Sequence, residues 1–76
     1  MEEVTGVVVW WSEEEGWGTL RSEMARSDVF AHFSNLDMEG HHVLQPGQRV
    51  DFLLEEYPRG QDGYFYRAEQ VRVIGL

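Results

Sequence analysis

Residues 7–11, VVVWW, are apolar at every position and form the longest unbroken apolar run in the chain. A half-buried strand alternates because successive side chains point to opposite faces. An unbroken apolar run therefore makes both faces of this first strand greasy and leaves the aromatic rings on one face without a core to fill. Around it the pattern predicts five strands, marked by alternation, β-branched and aromatic content, and turn residues. The first runs from about Val4 to Trp11, with a hairpin tip at Ser12 to Gly16. The second is Trp17 to about Arg21, and the third is Asp28 to Phe33, after the polar stretch SEMARS. A long connection, Ser34 to Gln48, follows; SNLDMEG at its start suits a single helical turn and Pro46-Gly47 ends it. The fourth strand is Arg49 to Tyr57, the PRGQDG segment at 58–63 is a strong turn signal, and the fifth strand is Tyr64 to Ile74.

Two hairpins and one long crossing connection, with too little chain for two full sheets, predict an all-β fold: a five-stranded antiparallel barrel, closed or nearly so. Closure removes the exposed edges that five aromatic strands cannot safely leave open. In the fourth strand Val50, Phe52 and Leu54 alternate with Arg49, Asp51, Leu53 and Glu55, which gives one apolar face for the interior. In the third, Val29 and Ala31 suit a narrow barrel interior, which turns Phe30 and His32 outward. With 76 residues the expectation is a single domain over 1–76.

Composition changes this picture in two ways. There is no cysteine, which excludes disulfides and thiolate metal sites. Adjacent His41 and His42 with His32 have no evident fourth ligand, so neither a metal nor any other cofactor is expected. The longest apolar run is far short of the roughly 20 residues that span a bilayer. No membrane span or signal peptide is read, and the cytoplasm is the expected location. Fourteen acidic against six basic residues, all of the latter Arg, give a formal net charge of −8. Such a domain repels nucleic acid at long range and suits a basic protein partner. Against this stand ten aromatic residues, some of which must lie near the surface. An enzyme is not expected: Asp28 and His32 share a strand face but lie about 13 Å apart at roughly 3.3 Å per residue, and no nucleophile with a base is left.

Read together, GVVVWWS from Gly6, EGWGTL from Glu15, DVFAHFS from Asp28 and LQPGQRVDF from Leu44 resemble the cold-shock domain family in order and spacing, from residue 4 to about 73. VFAHFS is the most specific piece. The resemblance implies an OB-type Greek-key barrel that binds single-stranded RNA or DNA, acting as an RNA chaperone or regulator of gene expression. It also implies that Trp10, Trp11, Trp17, Phe30, His32 and Phe33 fall on binding positions of a ring platform on which bases stack. His41 corresponds to an aromatic that caps the platform from the crossing connection. Strict alternation separately points Trp11 and Phe33 inward, each being adjacent to a platform position. Gly16 and Gly18 are expected to keep the platform clear beside Trp17.

The departures from the family pattern bear on strength of binding. Glu15 stands where the family usually carries Lys, Val9 where it carries another, and Thr19 where it carries a second aromatic. The fourth-to-fifth strand loop is longer than usual, and Tyr64, Phe65 and Tyr66 follow it, at least one of them necessarily outward. Binding of weak to moderate affinity, dominated by stacking with little phosphate electrostatics, is the expectation. The rival is an acidic barrel of the same type that has lost nucleic-acid binding and meets a protein instead. What separates the two is whether the outward face of the first three strands is free of carboxylates; the sequence suggests that it largely is.

Overall fold

The structure, a computed structural model, describes residues 1–38, 43–61 and 63–75. Five strands follow in chain order: β1 (Glu2–Ser12), β2 (Trp17–Arg21), β3 (Val29–His32), β4 (Arg49–Gln61) and β5 (Tyr64–Gly75). They close into a barrel in the order β1-β2-β3-β5-β4. An odd number of strands cannot alternate in direction all the way round a closed ring, so one neighbouring pair must be parallel. That pair is β3 with β5, registered through Phe30 opposite Arg67, while the other four pairs are antiparallel.

The interior is small and apolar. Leu20, Val29, Ala31, Val50 and Ala68 are fully buried, with Val8, Phe52 and Val71 almost so. Val29 and Ala31 do face inward and Phe30 and His32 outward, as the alternation in β3 predicts.

The apolar run in β1 is resolved by a β-bulge. Val4, Gly6 and Val8 are buried, so regular alternation would carry Trp10 inside. Val8 lies opposite Leu20, however, and Trp10 opposite Thr19, which makes Val9 an extra residue in the ladder. An inserted residue reverses the phase of everything after it. Trp10 consequently points outward, 37 % exposed, and Trp11 turns in against the core. β5 uses the same device. Glu69 lies opposite Leu53 and Arg72 opposite Asp51, so β5 carries two residues where β4 carries one. The extra residue is Gln70, at φ 50°, and it returns Val71 to the core after Ala68.

The crossing connection is pinned to β1 beside the bulge. The Val8 N–H donates to the Gln48 carbonyl at 2.9 Å, and the Gly47 N–H donates to the Val8 carbonyl at 2.9 Å. Pro46-Gly47 forms the turn between them: the Gln48 N–H donates back to the Gln45 carbonyl at 3.1 Å, and Gly47 sits at φ 93°, a conformation that favours glycine.

Several boundaries differ from the sequence pattern: β1 extends two residues earlier and one later, β3 is one residue shorter at each end, β5 ends one residue later, and two further differences have an evident local cause. The single helical turn is a 3-10 turn at Phe33–Asn35, one residue earlier than expected. It starts there because the Asn35 side chain accepts from the His32 N–H at 3.1 Å and closes a capping box. β4 runs on to Gln61, through most of the segment read as a turn, and Gln61 pairs with Tyr64. The turn residues are accommodated by an irregularity in the ladder between Glu56 and Gln61.

Gly18 has a role other than the one expected of it. It faces inward, and a Cβ there would overlap the Trp10 carbonyl oxygen and come within 2.7 Å of the Trp11 ring. The missing side chain makes room for Trp11 inside the barrel, not for the outer platform. Gly18→Ala should therefore destabilise the fold by about 2 kcal/mol or more, the scale of overpacking a filled core. In a thermal melt this reads as a drop of roughly 8 °C or more in a domain of this size. A melt within about 2 °C of wild type would mean that Trp11 is free to move aside.

Candidate nucleic-acid interface

The outward face of β1, β2, β3 and β5 carries a continuous cluster of rings. Trp10 and Trp17 meet edge to face at 4.7 Å between centroids, and Trp17 stacks on Phe30 at 5.5 Å. Tyr64 closes the group, 6.2 Å from Trp17 and 5.6 Å from Phe30. These are the offset and tilted geometries that ring quadrupoles favour. They hold the rings as one surface.

The strand register explains why the rings meet. Trp10, Thr19, Phe30, Arg67 and Glu55 are successive partners in one cross-strand row. Ser12, Trp17 and His32 form the next. Thr19 lies between Trp10 and Phe30 and is only 1 % exposed; its hydroxyl is buried with no hydrogen-bond partner among the described residues. A small residue there lets the rings on either side close over the row. Arg67 extends the row, its guanidinium 5.9 Å from the centre of the Phe30 ring.

His32 is half-buried at the edge of the cluster. Its Nδ1 accepts from the Ser34 N–H at 3.3 Å and lies 2.8 Å from the Ser34 hydroxyl. With Nδ1 accepting, the proton of the neutral ring sits on Nε2. Phe33, 48 % exposed, packs on the His32 ring at 4.4 Å and over Gly16. It escapes strict alternation because β3 ends at His32 and the 3-10 turn begins with Phe33. The Phe33 N–H donates to the Gly16 carbonyl at 2.8 Å, which ties this turn to the β1–β2 hairpin.

Of the sequence candidates, Trp10, Trp17, Phe30, His32 and Phe33 lie on the outer surface. Trp11 does not: it packs against the core over Gly18, and its indole nitrogen is buried without a hydrogen-bond partner. His41 lies outside the described residues. Two members of the site were not among the candidates. Tyr64 was signalled only by its place in the consecutive Tyr-Phe-Tyr, of which Tyr66 proves to be core and Phe65 exposed. Arg67 is one of five arginines, with Arg21, Arg26, Arg59 and Arg72, that could strengthen binding by bordering the platform; its position over Phe30 follows from the parallel seam.

Carboxylates rim the cluster more closely than the sequence suggests. Glu15 accepts from the Trp17 indole N–H at 3.0 Å. Glu69 lies 3.2 Å from Arg67, an ion pair without hydrogen-bond alignment, and also accepts from Asn35 at 3.0 Å. Asp28 is paired with Arg21 at 3.3 Å. The ring contacts themselves contain no carboxylate.

The matching family model is the 'Cold-shock' DNA-binding domain, over residues 4–73. A cold shock-like protein of Aquifex aeolicus is 41% identical over 70 residues, covering 92% of this chain and 93% of that protein. Cold shock protein CspV of Vibrio cholerae is 40% identical over 57 residues, 75% of this chain and 81% of that protein. Cold shock-like protein CspA of Stigmatella aurantiaca is 36% identical over 70 residues, 92% and 96% respectively. The chain belongs to the cold-shock domain family.

Two tyrosines beside the site resist ionisation. Burial, then the charge of Asp28, raises Tyr64 above the usual value of 10.0. Tyr57 is raised chiefly by its 2.6 Å hydrogen bond to Glu55. Because the folded values lie above the unfolded one, these neutral phenols contribute stability that is complete below pH about 10 and is lost as pH rises through the folded values. Ultraviolet titration should show at least two phenols ionising later in the folded protein than in urea. Coincident curves would contradict both environments.

Proposed function

We propose that this chain binds single-stranded RNA or DNA by stacking bases on the outer ring cluster, and acts in the cytoplasm as an RNA chaperone or regulator of gene expression. The observation that carries the reading is the cluster itself: Trp10, Trp17, Phe30 and Tyr64 held in mutual contact on the outside of a barrel of the cold-shock family. Among the described residues no helix is long and apolar enough to cross a membrane.

The energetics allow binding despite the charge. Stacking on an aromatic side chain contributes about 1–3 kcal/mol per base, so four rings can supply several kcal/mol. A carboxylate about 10 Å from a phosphate costs roughly 0.4 kcal/mol at the dielectric of water, and screening at physiological salt reduces this further. Summed over the rim carboxylates the repulsion is on the order of 1–3 kcal/mol. Stacking exceeds it by a modest margin, which supports weak to moderate affinity. Among the described residues Arg67 is the arginine recorded over a ring, and it is already paired with Glu69. The net charge of −8 also suits a basic protein partner. The rival reading, a barrel that no longer binds nucleic acid, is not favoured, because the rings are assembled with one another outside the core of a barrel of the cold-shock family.

Short single-stranded pyrimidine oligonucleotides should quench the tryptophan emission by covering Trp10 and Trp17. No quenching and no mobility shift at high micromolar oligonucleotide would remove this reading. Phe30→Ala and Tyr64→Ala should each weaken binding by about 1–3 kcal/mol with the fold retained. If Phe30→Ala instead unfolds the domain and leaves the affinity of the folded fraction unchanged, the ring is structural. The salt dependence should be shallow: at roughly −0.7 per phosphate neutralised on a single strand, one or two arginine contacts give a log–log slope no steeper than about −1.4. A slope of −3 or steeper would show that phosphate neutralisation, not stacking, drives the affinity.

A further inference from the structure

The Glu15 carboxylate is held at the edge of the ring surface by its own backbone and by the ring it borders. The Glu15 N–H donates to the Ser12 hydroxyl at 3.1 Å, and the Gly16 N–H donates to the Ser12 carbonyl at 2.8 Å, which fixes the end of the hairpin. From there Oε1 accepts the Trp17 indole N–H at 3.0 Å, while the carboxylate stays in solvent. Only one of the four lone-pair positions of the ionised group is used by that bond. The remainder are left to solvent, on a carboxylate tethered to the edge of the Trp17 indole.

Resting on the stacking function proposed above, we propose that Glu15 is a specificity-determining residue that reads the base stacked on Trp17, selecting bases that carry an exocyclic amino group over uracil and thymine. An ionised carboxylate can only accept hydrogen bonds. The amino group of cytosine donates to it, a pairing that acidic side chains use in reading cytosine. Uracil presents a carbonyl oxygen at the same ring position, which the carboxylate repels. The uracil N3–H is a donor but is flanked on both sides by carbonyl oxygens, so approach to it brings two repulsions with one hydrogen bond. His32, cross-strand partner of Trp17, offers a complementary donor at Nε2, because its Nδ1 is occupied by Ser34. A donor and an acceptor thus flank one stacking ring. Cytosine, with an amino donor next to its N3 acceptor, matches that pair.

The test compares heptamers of deoxycytidine and deoxyuridine at neutral pH, which share ring size and backbone and differ in the base edge. Tryptophan quenching is measured with the wild-type chain and with Glu15→Gln, whose amide can turn to accept from cytosine or donate to uracil. The wild type should prefer the cytidine heptamer by about fivefold or more, the lower end of what a specific base-edge contact discriminates. Glu15→Gln should bring the ratio to within about twofold, mainly by improving deoxyuridine binding. If Glu15 only holds Trp17 in place, the variant weakens both heptamers equally and leaves their ratio unchanged, which overturns the inference. A wild-type ratio near one, or a preference for deoxyuridine, overturns it as well while leaving the stacking function intact. Quenching by neither heptamer overturns both.

Discussion

A strand inside a closed barrel has one degree of freedom that cannot be adjusted gradually: its phase. Each residue faces in or out, and one extra residue reverses every side chain beyond it. The interior here is too narrow for a tryptophan at each level, so the phase of β1 decides whether Trp10 or Trp11 is outside. The insertion at Val9 makes that decision. Trp11 then fills the end of the barrel, where Gly18 leaves space for it, and Trp10 reaches the outer surface. The crossing connection is hydrogen-bonded to Val8 immediately before the insertion, which holds the register at the point where it changes.

The outer ring surface follows from that phase and from the parity of the strand count. Five strands in a ring require one parallel seam, and the seam between β3 and β5 brings Arg67 beside Phe30. Tyr64, at the start of β5, comes to lie against Trp17 and Phe30. Its neighbours divide the remaining work: Tyr66 enters the core and Phe65 stays exposed. Three consecutive aromatics thus serve the platform, the surface and the core.

Electrostatically the interface is unusual in having acceptors where a polyanion would ordinarily meet cations. The arginine recorded over the rings, Arg67, is paired within the chain with Glu69, as Arg21 is with Asp28. Glu15 spends its charge on the indole of Trp17. Such a surface offers little long-range attraction to a polyanion. In the binding mode proposed above, contact with base faces and edges would carry the affinity and short-range hydrogen bonding the selectivity, because the screened phosphate contribution is the same for every sequence.

The number of strands, the inward pair Val29 and Ala31 and the outward pair Phe30 and His32 were legible in the amino-acid pattern alone. Those depend on local alternation, which a short regular strand obeys. The sequence also carried the family resemblance, since Gly-Trp-Gly and Val-Phe-Ala-His-Phe-Ser are contiguous strings whose identity needs no fold to be seen. Only the tertiary structure decided between Trp10 and Trp11, because a bulge is a property of a strand and its partner together and VVVWW reads alike in either phase. It likewise carried β4 on to Gln61, which pairs with Tyr64 beyond an irregularity in the ladder that takes up the turn residues. Tyr64 and Arg67 joined the site, and Glu15 came to the edge of Trp17, through contacts that register and hairpin geometry create. Their positions are set by which strands lie side by side, and that is decided when the barrel closes.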